Sequence, residues 1–261
     1  MLAALYVSKT GLSAQDTALR TISNNLANVS TIGFKKDRPV FQDLLYQIDR
    51  QPGAQASQET QLPSGLQLGT GVRAAGTQKV FTAGGLQVTD NALDVAINGR
   101  GFLQVLLPDG NVGFTRDGGF QLDANGQIVT ASGDPLQPSL NIPETAQSVT
   151  IGTDGTVTVS LAGDTGNTQI GNVQLVDFVN PAGLQAVGGN LFRETASSGA
   201  PQEGTPGLNG LGSLEQGTLE NSNVSVVEEL VNMITTQRAY EMNSKVVSTA
   251  DQMLQYISQN I

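Results

Sequence analysis

Apolar positions recur every seven residues at both ends of the chain. Near the N-terminus Leu5, Leu12, Leu19 and Leu26 hold one heptad position, with Ile22 and Val29 at a second. Near the C-terminus Val226, Met233, Tyr240, Val247, Leu254 and Ile261 recur in the same way, flanked by Leu230, Ile234, Ala250 and Ile257. Such a period marks a narrow, coiled-coil-like seam. It predicts helices over 3–29 and 224–258, about 40 and 50 Å long at 1.5 Å per residue. Two such helices form no globule of their own, and each keeps apolar surface to bury after they pair. The pattern therefore points to assembly. Ala4, Gly11 and Ala18 share one heptad position, where small side chains would let a neighbouring backbone approach.

From about residue 80 the period falls to two. Leu93, Val95 and Ile97 alternate with Asp94 and Ala96. Asp109-Gly110, Asp117-Gly118 and Asn125-Gly126 follow at regular pitch, and Asp154-Gly155 separates two further strand-like runs. Asp-Gly and Asn-Gly are strong hairpin signals, because the turn needs positive φ. We read 76–219 as one antiparallel β domain, with loops at 135–143 and 197–212. Its aromatics, Phe102, Phe114, Phe120, Phe178 and Phe192, read as core anchors. The fold class expected is α+β: long N- and C-terminal helices (1–33 and 220–261) paired as a coiled-coil-like assembly domain, with a central antiparallel β domain.

Residues 34–75 read as an extended arm. Its stretch 46–66 is polar and rich in Pro and Gly, with Tyr46, Pro52, Gly53 and Pro63 as its marks. Such a segment closes no core alone and takes its order from neighbours. At the helix exit Gly33 is a candidate for positive φ. Asn221 to Asn223 read as the cap of the final helix, and Glu228 and Glu229 suit the positive end of its dipole.

The chain has no Cys and no His. The usual catalytic triads and Cys/His zinc sites are thereby excluded, and no cofactor site is expected. The Asp residues sit in turn contexts without calcium-loop spacing. A net charge of −10 argues against nucleic acid. Lys35, Lys36 and Arg38 read as a solvated basic trio. No apolar run is long enough to span a bilayer, so no membrane insertion is expected, and the opening residues lack the pattern of a cleavable secretory signal. A carboxylate-dependent glycan hydrolase and an adhesin-like binding module stay open as rivals, although neither accounts for two terminal seams.

The run Ser23-Asn24-Asn25-Leu26-Ala27-Asn28-Val29-Ser30-Thr31-Ile32-Gly33-Phe34-Lys35 resembles the N-terminal signature of bacterial flagellar rod and hook proteins. Glu228 to Ile234, with Gln237 to Glu241 and Asn243, resembles the closing helix of the same family. Ala96 to Phe102 and Phe114 to Gly118 match its β-domain motifs, and 46–66 is similar to the extra stretch of its distal-rod members. The resemblance implies a non-enzymatic helical homopolymer in the basal body, forming a rod across the periplasm and exported by the flagellar type III apparatus. Other rod and hook proteins would be neighbours, with the L- and P-rings as a bushing. It marks Asn25, Asn28, Gly33 and Phe34 as signature residues. Leu5, Leu12, Leu19, Ile22, Leu26, Val226, Met233, Tyr240, Val247 and Leu254 are the expected assembly seam. We expect the amides of Asn25 and Asn28 to bind backbone in the turn that ends at Gly33.

Overall fold

The structure, a computed structural model, describes residues 2–53, 63–161 and 166–259. The chain is α+β, with a helix at each end and a central antiparallel β region. It divides into two compact units. The first comprises 1–26, 37–78 and 225–261, and the second 27–36 and 79–224. The division differs from the expected limits of 76–219. The second unit also takes 27–36 and runs on to Val224, for reasons of buried charge given below.

The first unit holds α1 (Leu2–Ala27, whose last residue falls in the second unit) and α2 (Val226–Gln259). Ser225 precedes α2 and its Oγ lies 3.5 Å from the Glu228 N–H, so the cap is Ser225 rather than residues 221–223. The stretch expected to be an extended arm holds three strands and the start of a fourth: β1 (Asp37–Asp43), β2 (Tyr46–Arg50), β3 (Leu66–Gly69) and β4 (Val72–Lys79). β1 pairs with β4, and β2 pairs antiparallel with β3. Side chains reinforce the first pair, Arg38 Nη2 donating to Gln78 Oε1 at 3.0 Å and Arg73 Nη2 to Gln42 Oε1 at 3.1 Å. The Val72 N–H donates to Thr10 Oγ1 of α1 at 3.3 Å. Residues 54–62 of the predicted arm lie outside the described residues.

The second unit is built on a five-stranded antiparallel sheet, in the order 136–137, 103–106, 112–115, 191–193 and 185–188. A three-stranded antiparallel sheet of 146–151, 156–161 and 167–172 accompanies it. The turns at Asp109-Gly110, Asn125-Gly126 and Asp154-Gly155 each join paired strands, with positive φ at the glycine. Asp117-Gly118 does not. There the glycine serves close approach: a Cβ on Gly118 would collide with the Val95 carbonyl oxygen, and the Val95 N–H donates to the Gly118 carbonyl. Short strands at 136–137 and 202–204 also interrupt the two expected loops.

One core cluster gathers Ile97, Leu103, Leu136, Val157, Val159, Leu175 and Leu214, all almost fully buried, with seven neighbours. A second is aromatic. Phe81, Phe102, Phe114, Phe178 and Phe192 meet edge to face, with centroids 4.8 to 6.0 Å apart, the geometry ring quadrupoles favour. Of the five expected anchors, Phe120 belongs to the first cluster instead.

Candidate assembly surfaces and a buried charge junction

On α1 the deepest residues are Ser8, Ala14, Ala18, Thr21, Ile22 and Asn25. At 100° per residue the leucine line runs about a third of a turn away from them. Leu5, Leu12, Leu19 and Leu26 are accordingly only half-buried. On α2 the half-buried line includes Met233, Val247 and Leu254, with Ala250 buried, whereas Val226 and Tyr240 are exposed. The two helices approach at Gly11, where a Cβ would lie 3.1 Å from Asn243 Nδ2. What stands over this small residue is a side-chain amide, not a neighbouring backbone.

Apart from Ile234, the opposite side of α2 was missed by the heptad reading. Val227, Val231, Ile234, Met242, Val246, Met253 and Tyr256 are all exposed, and their spacing places them together, turned away from the Met233–Val247–Leu254 line. A helix apolar on two sides is one built to be covered on both. The β2–β3 pair adds exposed Leu45, Tyr46, Ile48, Leu66 and Leu68. Directly opposed residues share a face, so Ile48 with Gln67 and Leu68 with Gln47 put apolar groups on both faces. Pro52, Gly53 and Pro63 beside it are exposed.

Asn25, 2% exposed, pairs with both backbone groups of one residue, Asp37. Its Nδ2 donates to the Asp37 carbonyl at 2.8 Å, and the Asp37 N–H donates to its Oδ1 at 2.9 Å. This amide reaches past the turn, not into it. Asn28 stays in the turn, its Oδ1 accepting from Thr31 Oγ1 at 3.2 Å and its carbonyl from the Thr31 N–H. Gly33 has φ +67°, and its N–H donates to the Glu220 carbonyl at 2.7 Å. Phe34 is buried, with Lys79 Nζ 5.2 Å from its ring centroid.

Lys35 is not solvated. Its ammonium is wholly enclosed, donating to Glu220 Oε1 at 2.7 Å and to the Thr82 carbonyl at 2.8 Å. Glu220 Oε1 also accepts the Gly84 N–H at 2.8 Å. Its Oε2 accepts Arg116 Nε at 2.8 Å. The remaining Arg116 donors go to the carbonyls of Ile97, Gly99 and Gly101. Beside them Asn223 accepts the Lys36 N–H at 2.7 Å and donates to the Val80 and Thr82 carbonyls. Burial alone would raise the Glu220 carboxyl, but Arg116 and Lys35 outweigh it and hold it below its ordinary value. For Lys35, burial and then Arg116 push the ammonium below its ordinary value, against the pull of Glu220. Sequence reading missed this junction. Its signal lay in the motifs, since Lys35 ends one quoted run and Arg116 lies inside another.

Three of the acidic turns are held by their own backbone. Asp109, Asp117 and Asp154 each accept backbone N–H groups of their own turns. Among the described residues, no three carboxylates gather as metal ligands do, and no helix is long and apolar enough to cross a membrane.

Comparison with known proteins gives the context for these surfaces. Residues 5–35 match the family described as flagella basal body rod protein. Residues 96–159 match the flagellar hook protein FlgE/F/G D1 domain, and 215–260 the flagellar basal body rod FlgEFG protein C-terminal family. The chain is 58% identical over 259 residues to a flagellar basal-body rod protein FlgG of Buchnera aphidicola, covering 99% of this chain and 100% of the relative. The chain belongs to the flagellar basal-body rod protein family. A FlgG of Borreliella burgdorferi is 47% identical, with 97% of each chain covered, and one of Bacillus subtilis 38%, covering 98% of this chain and 97% of the relative. Each of the three stretches matched to rod-family domains contributes one member of the charge junction: Lys35, Arg116 and Glu220. The stretch 46–66 lies outside all three.

Proposed function

We propose that this chain is a structural subunit of the distal part of the flagellar rod, polymerising into a stiff helical tube that carries torque across the periplasm. The carrying observation is the exposed apolar side of α2, turned away from its half-buried line, in a chain whose relatives are rod proteins. In this reading α1 and α2 pair as a short coiled coil, and the outer side of α2 is covered by neighbouring copies. Contacts between copies are heterologous and do not close, which is what generates a filament. Other rod and hook proteins continue the tube at its ends, the L- and P-rings surround it, and the type III apparatus exports the chain.

The test is electron microscopy of concentrated purified protein, scored for tubes. Ile234 is 50% exposed, so Ile234→Asp should leave monomer stability within about 0.5 kcal/mol yet abolish tubes, because a charge in a covered seam costs several kcal/mol. Normal tubes from this variant would remove α2 from the interface.

The stretch 46–66 then locks the spacing of neighbours. It contains β2 and ends on the first residue of β3, and the two-faced β2–β3 pair offers apolar groups to both sides, while Pro52 and Pro63 reduce the entropy lost on docking. Deleting 46–66 should still give tubes, but curved or bendable ones. Tubes of unchanged straightness and persistence length would sink this role.

A further inference from the structure

We propose that the buried Lys35–Glu220–Arg116 cluster, with Asn223 beside it, is a mechanical clamp that fastens to one another the segments through which force enters and leaves the second unit. The chain passes into or out of this unit at 26–27, 36–37, 78–79 and 224–225. Three segments adjoin those passages: 27–36, 79–84 and 220–224. Each is bonded to the other two inside the unit. Lys35 and Gly33 reach Glu220, Val80 donates its N–H to the Lys36 carbonyl, and Gly84 and Thr82 are tied to Glu220 and Asn223.

Force applied to a folded unit travels along the chain from the point of attachment to the first cross-link, and structure beyond that link is shielded. Here the first links join the attachments directly, so a pull between residues 36 and 79, or 27 and 224, meets the clamp before the sheets. The choice of charge over apolar packing supports this role. For the ion pairs alone, well-packed apolar residues often give equal or greater stability at a buried site. They would not supply short, directional, charge-assisted bonds, which resist small displacements. The biological meaning rests on the reading of the chain as a load-carrying subunit. The test is made on single full-length chains, so failure to form tubes and failure of the clamp are separate results.

The absence of cysteine lets pulling handles be placed at introduced pairs. One pair, Ala27→Cys with Ser225→Cys, straddles the clamp. Another, Ala124→Cys with Ala196→Cys, lies at exposed positions away from its bonds. Unfolding at fixed force is compared for the parent, Glu220→Gln, Asn223→Ala, and Val159→Ala, a core change at a residue 1% exposed. With the straddling pair, Glu220→Gln should accelerate unfolding about 100-fold and Asn223→Ala roughly tenfold. Val159→Ala should accelerate it far less than its loss of equilibrium stability implies. With the second pair, all three variants should accelerate in proportion to that loss. If rates with the straddling pair also simply follow equilibrium stability, the cluster stabilises the fold and carries no load. Should Glu220→Gln fail to fold, the half-buried Asn223 decides the matter alone.

Discussion

Glu220→Gln should destabilise the second unit by about 3–5 kcal/mol, because removing one partner of a buried ionic group leaves uncompensated charge. In a unit of this size that is a fall of roughly 10 °C in the thermal midpoint. The carboxylate is fully enclosed and faces two cations that cannot reach water. Gln keeps one acceptor oxygen where Glu has two, so either Lys35 or Arg116 loses its hydrogen bond to residue 220 and meets an amide N–H2 instead, and both cations lose their charged partner. Replacing all three residues together, as Lys35→Met, Arg116→Met and Glu220→Leu, removes the charge imbalance but should not restore the parent's stability, because the carbonyls of Ile97, Gly99, Gly101 and Thr82 and the Gly84 N–H then lose these partners. Calorimetry of both variants checks this. A loss below about 1 kcal/mol for Glu220→Gln, the range of exposed pairs, would mean that the pocket admits water.

The same carboxylate sets an acid limb. Its folded pKa lies below the ordinary 4.5, so its contribution is whole above that value and is lost as pH falls through the lowered one. Lys35 acts with the opposite sign. Its folded pKa lies below 10.5, so between the lowered value and 10.5 the unfolded chain holds the extra proton, and stability from this group rises with pH. Denaturant midpoints measured from neutral pH into acid should fall for the parent and lose much of that slope in Glu220→Gln.

The sequence periodicities located the helices to within about two residues because each is long and its pattern local. The hairpin at Asp154-Gly155 was legible for the same reason, since a turn is written in adjacent residues. Lys35 was misread as solvated because its partner lies 185 positions away, and no local pattern signals a pairing of that span. The β boundary at 219 missed Glu220 by one residue for the same cause: apolar alternation ends there, whereas the ionic tie does not. Counting only a seven-residue period also hid the second apolar side of α2. Met242, Val246 and Met253 follow the helix as surely as Val247 does, but on the side left exposed among the described residues. Gly118 shows the converse limit. Its Asp-Gly pair reads as a turn, yet it is needed for contact with Val95, which only the fold brings near.

Gly33→Val should be at least as damaging as Glu220→Gln, through backbone rather than charge. At φ +67° a β-branched residue is strained by roughly 1–3 kcal/mol. Space is also lacking: a Cβ would stand 2.7 Å from the Asp117 nitrogen, 2.8 Å from the Arg116 carbonyl carbon and 2.9 Å from its oxygen. These are main-chain atoms and cannot swing aside as a side chain does. Residue 33 must move away, and its N–H then leaves the Glu220 carbonyl it meets at 2.7 Å. That shift displaces Lys35, two residues on, from Glu220, so strain and loss of the ion pair add to about 4 kcal/mol or more. Gly110→Ala separates the two causes. Gly110 has φ +80° but nothing within 4 Å of its would-be Cβ, so this variant should lose only the strain, about 1–2 kcal/mol. Equal losses in the two variants would show that contact with the Arg116–Asp117 backbone is not what reserves position 33 for glycine. A large excess at position 33, together with a weakened acid limb like that of Glu220→Gln, would tie the signature turn to the charge junction.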